Sequence, residues 1–237
     1  MLKLFNQYKI KKKIRLIEFF AGYGSQALAL KNLNISFEHY EVVEFDKYAI
    51  KTYNALHQTN FEAKDIRKIQ DLQIDNKENY EYILTYSFPC TDLSLAGKQK
   101  GMAKGGTSGS SLLWEIERIL KQSKELPQIL IMENVPQVHG MKFKDDFNEW
   151  IRFLAKLGYS NQWEDINAAD HGIPQNRIRT FMISILGDYE FHFPKASGLH
   201  ITLNDLLEDE VDEKYYLSEK MMQYIFSFDK NDKPNGR

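Results

Sequence analysis

The sequence predicts an α/β fold, Rossmann-like, with a mostly parallel sheet and helices on both faces. Three observations predict it. Apolar, β-rich runs at residues 14–20, 37–43, 80–90 and 128–132 alternate with helical periodicity at 26–33, 47–57, 111–123 and 143–157. A glycine turn, Ala21-Gly22-Tyr23-Gly24-Ser25, joins the first run to the first helix. Acids stand where the apolar runs stop, at Glu44, Asp65 and Glu133.

Composition bounds the reading. A chain of 237 residues, 43% hydrophobic, can bury one substantial core and a small second lobe. Cys90 is the single cysteine, so no internal disulfide forms, and the usage suits a reducing compartment; a cytoplasmic location is expected. Residues 1–13 are too polar for a signal peptide, and no apolar run approaches membrane-spanning length. The net charge of −2 gives no global support for nucleic-acid binding, which must rest on a local basic face.

The first strand, 14–20, is interrupted by Arg15 and Glu18. Glycines after it let the backbone come close to a ligand, and the helix behind offers free N–H groups, the arrangement that cradles a nucleotide. Gly22-x-Gly24 lacks the third glycine of the dinucleotide fingerprint and alone is a common tight turn. The second strand, 37–43, ends in Glu44-Phe45-Asp46. An acid about 20 residues past such a turn is where a ribose is held, and Phe45 is placed to stack on an adenine. Asp46 reads as the N-cap of helix 47–57; cap and ribose site are compatible. A weak third strand is expected at 61–65, and 71–79 reads as a polar connection.

Residues 80–90 alternate aromatic and β-branched side chains until Pro89, which cannot extend a ladder. The strand thereby delivers Cys90 to the sheet's edge. Residues 91–110 follow, rich in Gly, Ser and Lys and without periodicity. A loop that long is usually a lid, and Lys98, Lys100 and Lys104 make it basic. From position alone, Cys90 is equally a nucleophile and a buried structural thiol. Glu133, after the strand at 128–132, comes to the same edge, where a thiol and a carboxyl make a nucleophile and a general acid. A strand pair is expected at 165–169 and 179–186. Arg177 and Arg179 alternate onto one face of its second strand, a fork for a phosphate or a base carbonyl.

Together these residues resemble the cytosine-5 DNA methyltransferase family. The matching motifs are Phe20-Ala21-Gly22-Tyr23-Gly24, Glu44-Phe45-Asp46, Asp65-Ile66, Phe88-Pro89-Cys90 with Gly97-Lys98-Gln99-Lys100-Gly101, Glu133-Asn134-Val135, and Gln175-Asn176-Arg177-Ile178-Arg179. They fall in the family's order. The resemblance implies S-adenosyl-L-methionine as cofactor and double-stranded DNA as partner. It makes Cys90 the nucleophile that adds to carbon 6 of a flipped-out cytosine. Glu133 serves ring nitrogen 3, Arg179 contacts the cytosine or its phosphate, and Arg177 supports Glu133. Phe20, Ala21, Gly22, Tyr23, Gly24, Glu44, Phe45, Asp65, Ile66, Pro89 and Leu112 would line the cofactor site. Ser94, Lys98, Gln99, Lys100 and Gln175 would meet the nucleic acid, and no metal is implied.

Two departures stand out. Ser25 occupies a position where the family often has glycine, tolerable if its backbone is helical. The family's C-terminal Arg-containing and Gly-Asn-Ser-type motifs are not found. The expected organisation is therefore a catalytic domain at 1–187 and the start of an incomplete recognition region at 188–237, with short helices at 203–207 and 218–227. A second chain supplying the remainder is one expectation. An enzyme active alone, a transfer-RNA methyltransferase and a non-catalytic nucleic-acid-binding subunit are the alternatives. A nicotinamide-dependent oxidoreductase would leave Cys90, Glu133 and the arginines unexplained.

Overall fold

In a computed structural model, residues 6–94, 97 and 99–229 are described. Six strands form the central sheet: β1 Lys13–Phe19, β2 Phe37–Val43, β3 Tyr80–Tyr86, β4 Ile129–Asn134, β5 Tyr159–Asn167 and β6 Ile178–Leu186. Their order across the sheet is β2-β1-β3-β4-β6-β5. The β1–β2, β1–β3 and β3–β4 pairings are parallel, whereas β6 is antiparallel to both β4 and β5. Only β6 therefore runs against the rest, and five strands point their C-terminal ends at one edge.

The period-2 alternation sorts side chains onto two faces. Ile17, Phe19, Tyr82, Leu84, Tyr86, Leu130 and Met132 share a core with α3 (Leu113–Gln122) and α4 (Lys144–Lys156). Leu16, Ile83, Ile129, Ile183 and Ile185 pack with Ala27 and Leu30 of α1 (Ser25–Asn32). Helix α2 (Lys47–His57) covers the glycine turn on that second side, through Ile50 and Tyr53 against Ala21 and Val42. Strand β3 is buried from Glu81 to Tyr86, which is why its sequence reads as an almost unbroken apolar run.

The sequence expectations need four corrections here. No strand forms at 61–65. A single backbone bond, Lys64 N to the Glu44 carbonyl at 2.8 Å, ties this segment to the end of β2, and Asp65 instead caps a 3₁₀ turn, Ile66–Lys68. Strand β5 begins at Tyr159, well before residue 165; its full-length ladder with β6, not local propensity, makes it a strand. Strand β3 stops at Tyr86, so a short turn and not the strand itself carries Cys90. Packing also continues past residue 187: Tyr189, Phe191 and Phe193 join the α1-side core. Beyond them lie a 3₁₀ turn, Leu203–Leu206, and helix α5, Glu219–Asp229, whose side chains from Glu219 to Ser227 are exposed.

Candidate active site

The glycine turn is built by left-handed backbone. Gly22 has φ +56° and Gly24 φ +81°, values that glycine adopts without steric cost. Phe20 also has φ +55°, a strained conformation for an aromatic residue of the kind that gathers at functional sites. Ser25 is the first residue of α1, so its helical conformation accommodates the missing glycine. Glu44 faces this turn: one carboxylate oxygen accepts from Gly22 N at 3.0 Å and the other from Asp46 N at 2.9 Å. Asp46 caps α2 through Tyr48 N at 2.7 Å. Cap and ligand-facing acid are thus separate residues.

Two cavities meet at Phe20. The smaller, about 210 Å³, is walled by Phe20, Val43, Ile66 and Leu112, with Glu44, Phe45 and Asp65 contributing and Thr107, Ser108 and Gly109 closing it. Apolar walls with acids among them fit a flat heterocycle bearing a diol: a carboxylate has about four lone-pair sites, and Glu44 spends two on backbone. Phe45 is 75% exposed, leaving its ring free to take a ligand face. Arg67 also lines this cavity and holds the Asp65 carboxylate through Nε and Nη2, at 3.0 and 2.6 Å. That pairing keeps the Asp65 carboxyl below its ordinary range. Sequence reasoning missed Arg67, whose role depends on the turn that Asp65 caps.

The larger cavity, about 610 Å³, brings together Phe20, Ala21, Gly22, Tyr23, Ser87, Glu133, Arg177 and Arg179. Ile166, His171 and Phe181 also line it and were not foreseen; Phe181 lies two residues beyond Arg179 on the same face and could have been read from the alternation. Among the described residues, the N–H groups of Ser25 and Gln26 find no protein acceptor, and both residues border this cavity. Arg179 Nε sits 3.1 Å from Glu133 Oε1, both side chains about one-fifth exposed. The pairing expected of Arg177 is made by Arg179. Arg177 precedes β6 and is held by its backbone, N to Asn167 Oδ1 at 2.9 Å, with its side chain on the same cavity.

Cys90 lies on the turn after β3, half-buried against the core and without a disulfide partner. The turn is fastened from three sides. Asn134 Nδ2, next to Glu133, donates to the Phe88 carbonyl at 2.9 Å. Ser110 Oγ donates to the Pro89 carbonyl at 2.5 Å. The Cys90 carbonyl accepts from Leu93 N and Ser94 N at 3.0 and 2.9 Å. Cys90 and Pro89 are outside both cavity walls, on the turn beside them.

The loop at 91–110 is less free than its composition suggests. Leu93 and Met102 are fully buried, Gly101 N closes onto the Asp92 carbonyl at 2.9 Å, and Trp114 Nε1 donates to the Met102 carbonyl at 2.6 Å. Lys104 is no free basic group: it is 2.7 Å from the buried Glu117 carboxylate and 3.3 Å from Glu149. Gln99 accepts from Lys142 Nζ, and Lys100 is exposed. Lys98 lies outside the described residues. Gln175 sits on an exposed turn, its N bonded to the Ile173 carbonyl at 2.7 Å.

A family profile described as C-5 cytosine-specific DNA methylase matches residues 14–235. The chain is 36% identical to the type II methyltransferase M2.ScrFI of Lactococcus lactis subsp. cremoris, across 92% of this chain and 76% of that protein. It is 32% identical to the orphan methyltransferase M.SssI of Spiroplasma monobiae, across 92% and 71%. Among solved structures, Entamoeba histolytica methyltransferase EhMeth superposes with a TM-score of 0.72 at 21% identity, covering 90% of this chain and 65% of that one. S. pombe Dnmt2 methyltransferase gives 0.69 at 19%, covering 91% and 66%. These two likenesses establish the fold, and the chain spans about two thirds of their length.

Proposed function

Because the chain belongs to the C-5 cytosine-specific DNA methylase family, we propose that it transfers a methyl group from S-adenosylmethionine to carbon 5 of a cytosine flipped out of double-stranded DNA. The observation that carries the reading is the Asn134 bond to Phe88: it fastens the Cys90 turn to the strand that presents Glu133 and its partner Arg179.

Carbon 5 of cytosine is a poor nucleophile. The Cys90 thiolate adds to carbon 6, and the electron pair of the 5,6 double bond is displaced into the ring. Glu133 donates a hydrogen bond or proton at ring nitrogen 3, stabilising that charge, and Arg179 holds the Glu133 carboxyl in place. When bound, S-adenosylmethionine supplies an electrophilic methyl group. Carbon 5 would take that methyl group as its carrier leaves as a neutral thioether. The carbon-5 proton would pass to solvent base, its electron pair re-forming the 5,6 double bond as the sulfur–carbon-6 bond breaks, which returns the Cys90 thiolate while nitrogen 3 gives its proton back to Glu133. The residues that would hold the cofactor are Phe20, the Gly22–Gly24 turn, Glu44 for the ribose, and Phe45, Asp65, Ile66 and Leu112 for the adenine. Ser94, Lys98, Gln99, Lys100 and Gln175 are assigned to the nucleic acid. Extraction of the base from the stack costs a few kcal/mol, which such contacts must offset.

Transfer of labelled methyl from S-adenosylmethionine to mixed-sequence duplex DNA tests the reading, with Cys90→Ser and transfer RNA alongside. Incorporation into DNA that falls by at least about 10³-fold in Cys90→Ser is expected, since the variant loses the covalent route. Equal incorporation by Cys90→Ser would sink it, and incorporation into transfer RNA alone would transfer the chemistry to that substrate. The proposal includes a second chain docking on the exposed apolar side chains of Leu203, Leu207, Tyr216 and Phe226. Transfer unchanged by any complementary chain in the same assay would count against that part.

A further inference from the structure

Behind the glycine turn, facing away from the cavities, lies a buried polar cluster that the proposed chemistry does not use. Glu18 is 1% exposed and accepts from Ala27 N, in the first turn of α1, at 3.3 Å and from the Tyr53 hydroxyl at 2.5 Å. Gly24, the N-cap of α1, has no side chain to cap the helix; Glu18 does so from β1. With its proton on Glu18, the Tyr53 oxygen is the acceptor for His39 Nδ1–H at 2.6 Å. His57, 5% exposed at the end of α2, places Nε2 3.0 Å from the Tyr23 carbonyl. A carbonyl only accepts, so His57 carries its proton on Nε2. Nδ1 is left buried without a partner. Burial holds both histidines below their usual range, His39 at about 4, so each is neutral at pH 7 with one N–H to give.

Such an arrangement is costly, since an unpartnered buried nitrogen carries a desolvation penalty. A purely apolar residue would pack here without it. What the histidine supplies is one hydrogen bond to the peptide that joins Tyr23 to Gly24. The N–H of that same peptide goes to the Ala21 carbonyl at 2.8 Å, so both ends of the Tyr23–Gly24 unit are fixed. With its carbonyl drawn backward to His57, the turn cannot present that oxygen to the cavity, where it would repel an anionic group. The turn is packed closely against both rings: a Cβ on Gly24 would meet His57 Nε2 and Tyr53 Cε2 at 2.5 Å.

We infer that His57 is a positioning residue for the cofactor, its Nε2–H holding the Tyr23 carbonyl so that the Ser25 and Gln26 N–H groups that follow the glycine turn keep facing the cavity. The inference rests on the reading of that turn as the S-adenosylmethionine cradle. It is tested by calorimetric titration of S-adenosylmethionine into the wild-type chain and His57→Gln, His57→Asn and His57→Leu, together with amide hydrogen exchange across residues 20–27 of the ligand-free proteins. The Gln amide nitrogen reaches the Nε2 position, whereas the Asn amide nitrogen falls short, near Nδ1. His57→Gln should bind within about threefold of wild type; His57→Asn and His57→Leu should bind about tenfold more weakly and exchange faster at 23–27. Should His57→Leu fail to fold, the Gln and Asn pair decides. Equal affinity in wild type and Asn, or a Gln variant as weak as Asn, would overturn the inference while leaving the cradle standing. Absence of binding by wild type would overturn the cradle reading, and this inference with it.

Discussion

At Gly24 a single hydrogen atom separates a working turn from a clash. The residue adopts φ +81°, and an added Cβ would come within 2.5 Å of two ring atoms from α2, neither at the end of a flexible chain. Gly22, by contrast, has open space around it and needs glycine only for its φ. Gly24→Ala should therefore lose about 2–4 kcal/mol, from left-handed strain together with overpacking, and Gly22→Ala only about 1 kcal/mol. Urea unfolding of the two variants measures this; equal losses would mean that α2 yields and the tight fit is not real. The sequence revealed the turn, since Gly-x-Gly after an apolar run is a local pattern. It could not reveal which glycine is sterically required, because Tyr53 and His57 arrive from a helix about 30 residues on. Glu44 and Glu133 were legible for the same local reason, each standing where an apolar run stops. That Arg179 and not Arg177 pairs with Glu133 was not, because both residues are placed toward one face and only the register with β4 decides which meets Glu133.

Elements show the same division between local and distant causes. Helix α2 was legible to both ends because its cap, Asp46, and its apolar face lie within the segment. The segment at 61–65 had only Phe61 to favour a strand and no ladder partner beyond one bond, and a strand is stabilised by its neighbours more than by its own propensity. The loop at 91–110 misled in the other direction. Its lysines read as a basic lid, yet Lys104 grips Glu117, which is 4% exposed at its side chain and is also held by Lys121 of α3. Burial alone would raise the Glu117 carboxyl, but the hydrogen bonds from Lys104 and Lys121 outweigh it and hold the group below its usual value of 4.5. A carboxyl lowered in the folded state contributes stability above its unfolded pKa and loses it as pH falls through the folded value. Glu117→Gln should thus destabilise the chain at pH 7, by about 1–2 kcal/mol since both lysines are half exposed and screened. The gap to wild type should close progressively below about pH 4. Denaturant unfolding from pH 3 to 7 checks it. A gap that persists at low pH would mean that Glu117 acts through packing and not through charge.

The whole molecule divides by burial. From Lys13 to Phe193 every strand of the central sheet and α1–α4 feed three apolar clusters, which pack on the sheet's two faces and fix the site's residues from several elements at once. After Phe193 the side chains of Leu203, Leu206, Leu207, Tyr215, Tyr216 and Tyr224 are each more than half exposed. Among the described residues, none beyond Phe193 belongs to those clusters, and the last backbone tie to the preceding part is Ser197 N and Gly198 N on the Asp170 carbonyl, at 2.8 and 3.1 Å. That change was only partly legible. The aromatic and aliphatic residues of 199–226 read as an ordinary start of a second lobe, because a sequence states that side chains are apolar and not whether anything covers them. Burial, and not composition, sets the stability of a segment. A chain ending at Gly198 should accordingly unfold as cooperatively as the full chain, with a free energy within about 1 kcal/mol of it. Urea unfolding followed by tryptophan fluorescence is well placed to test this, because Trp114, Trp150 and Trp163 all lie before the cut. A loss of several kcal/mol, or a broadened transition, would show that residues 199–229 support the catalytic part through contacts that their exposure conceals.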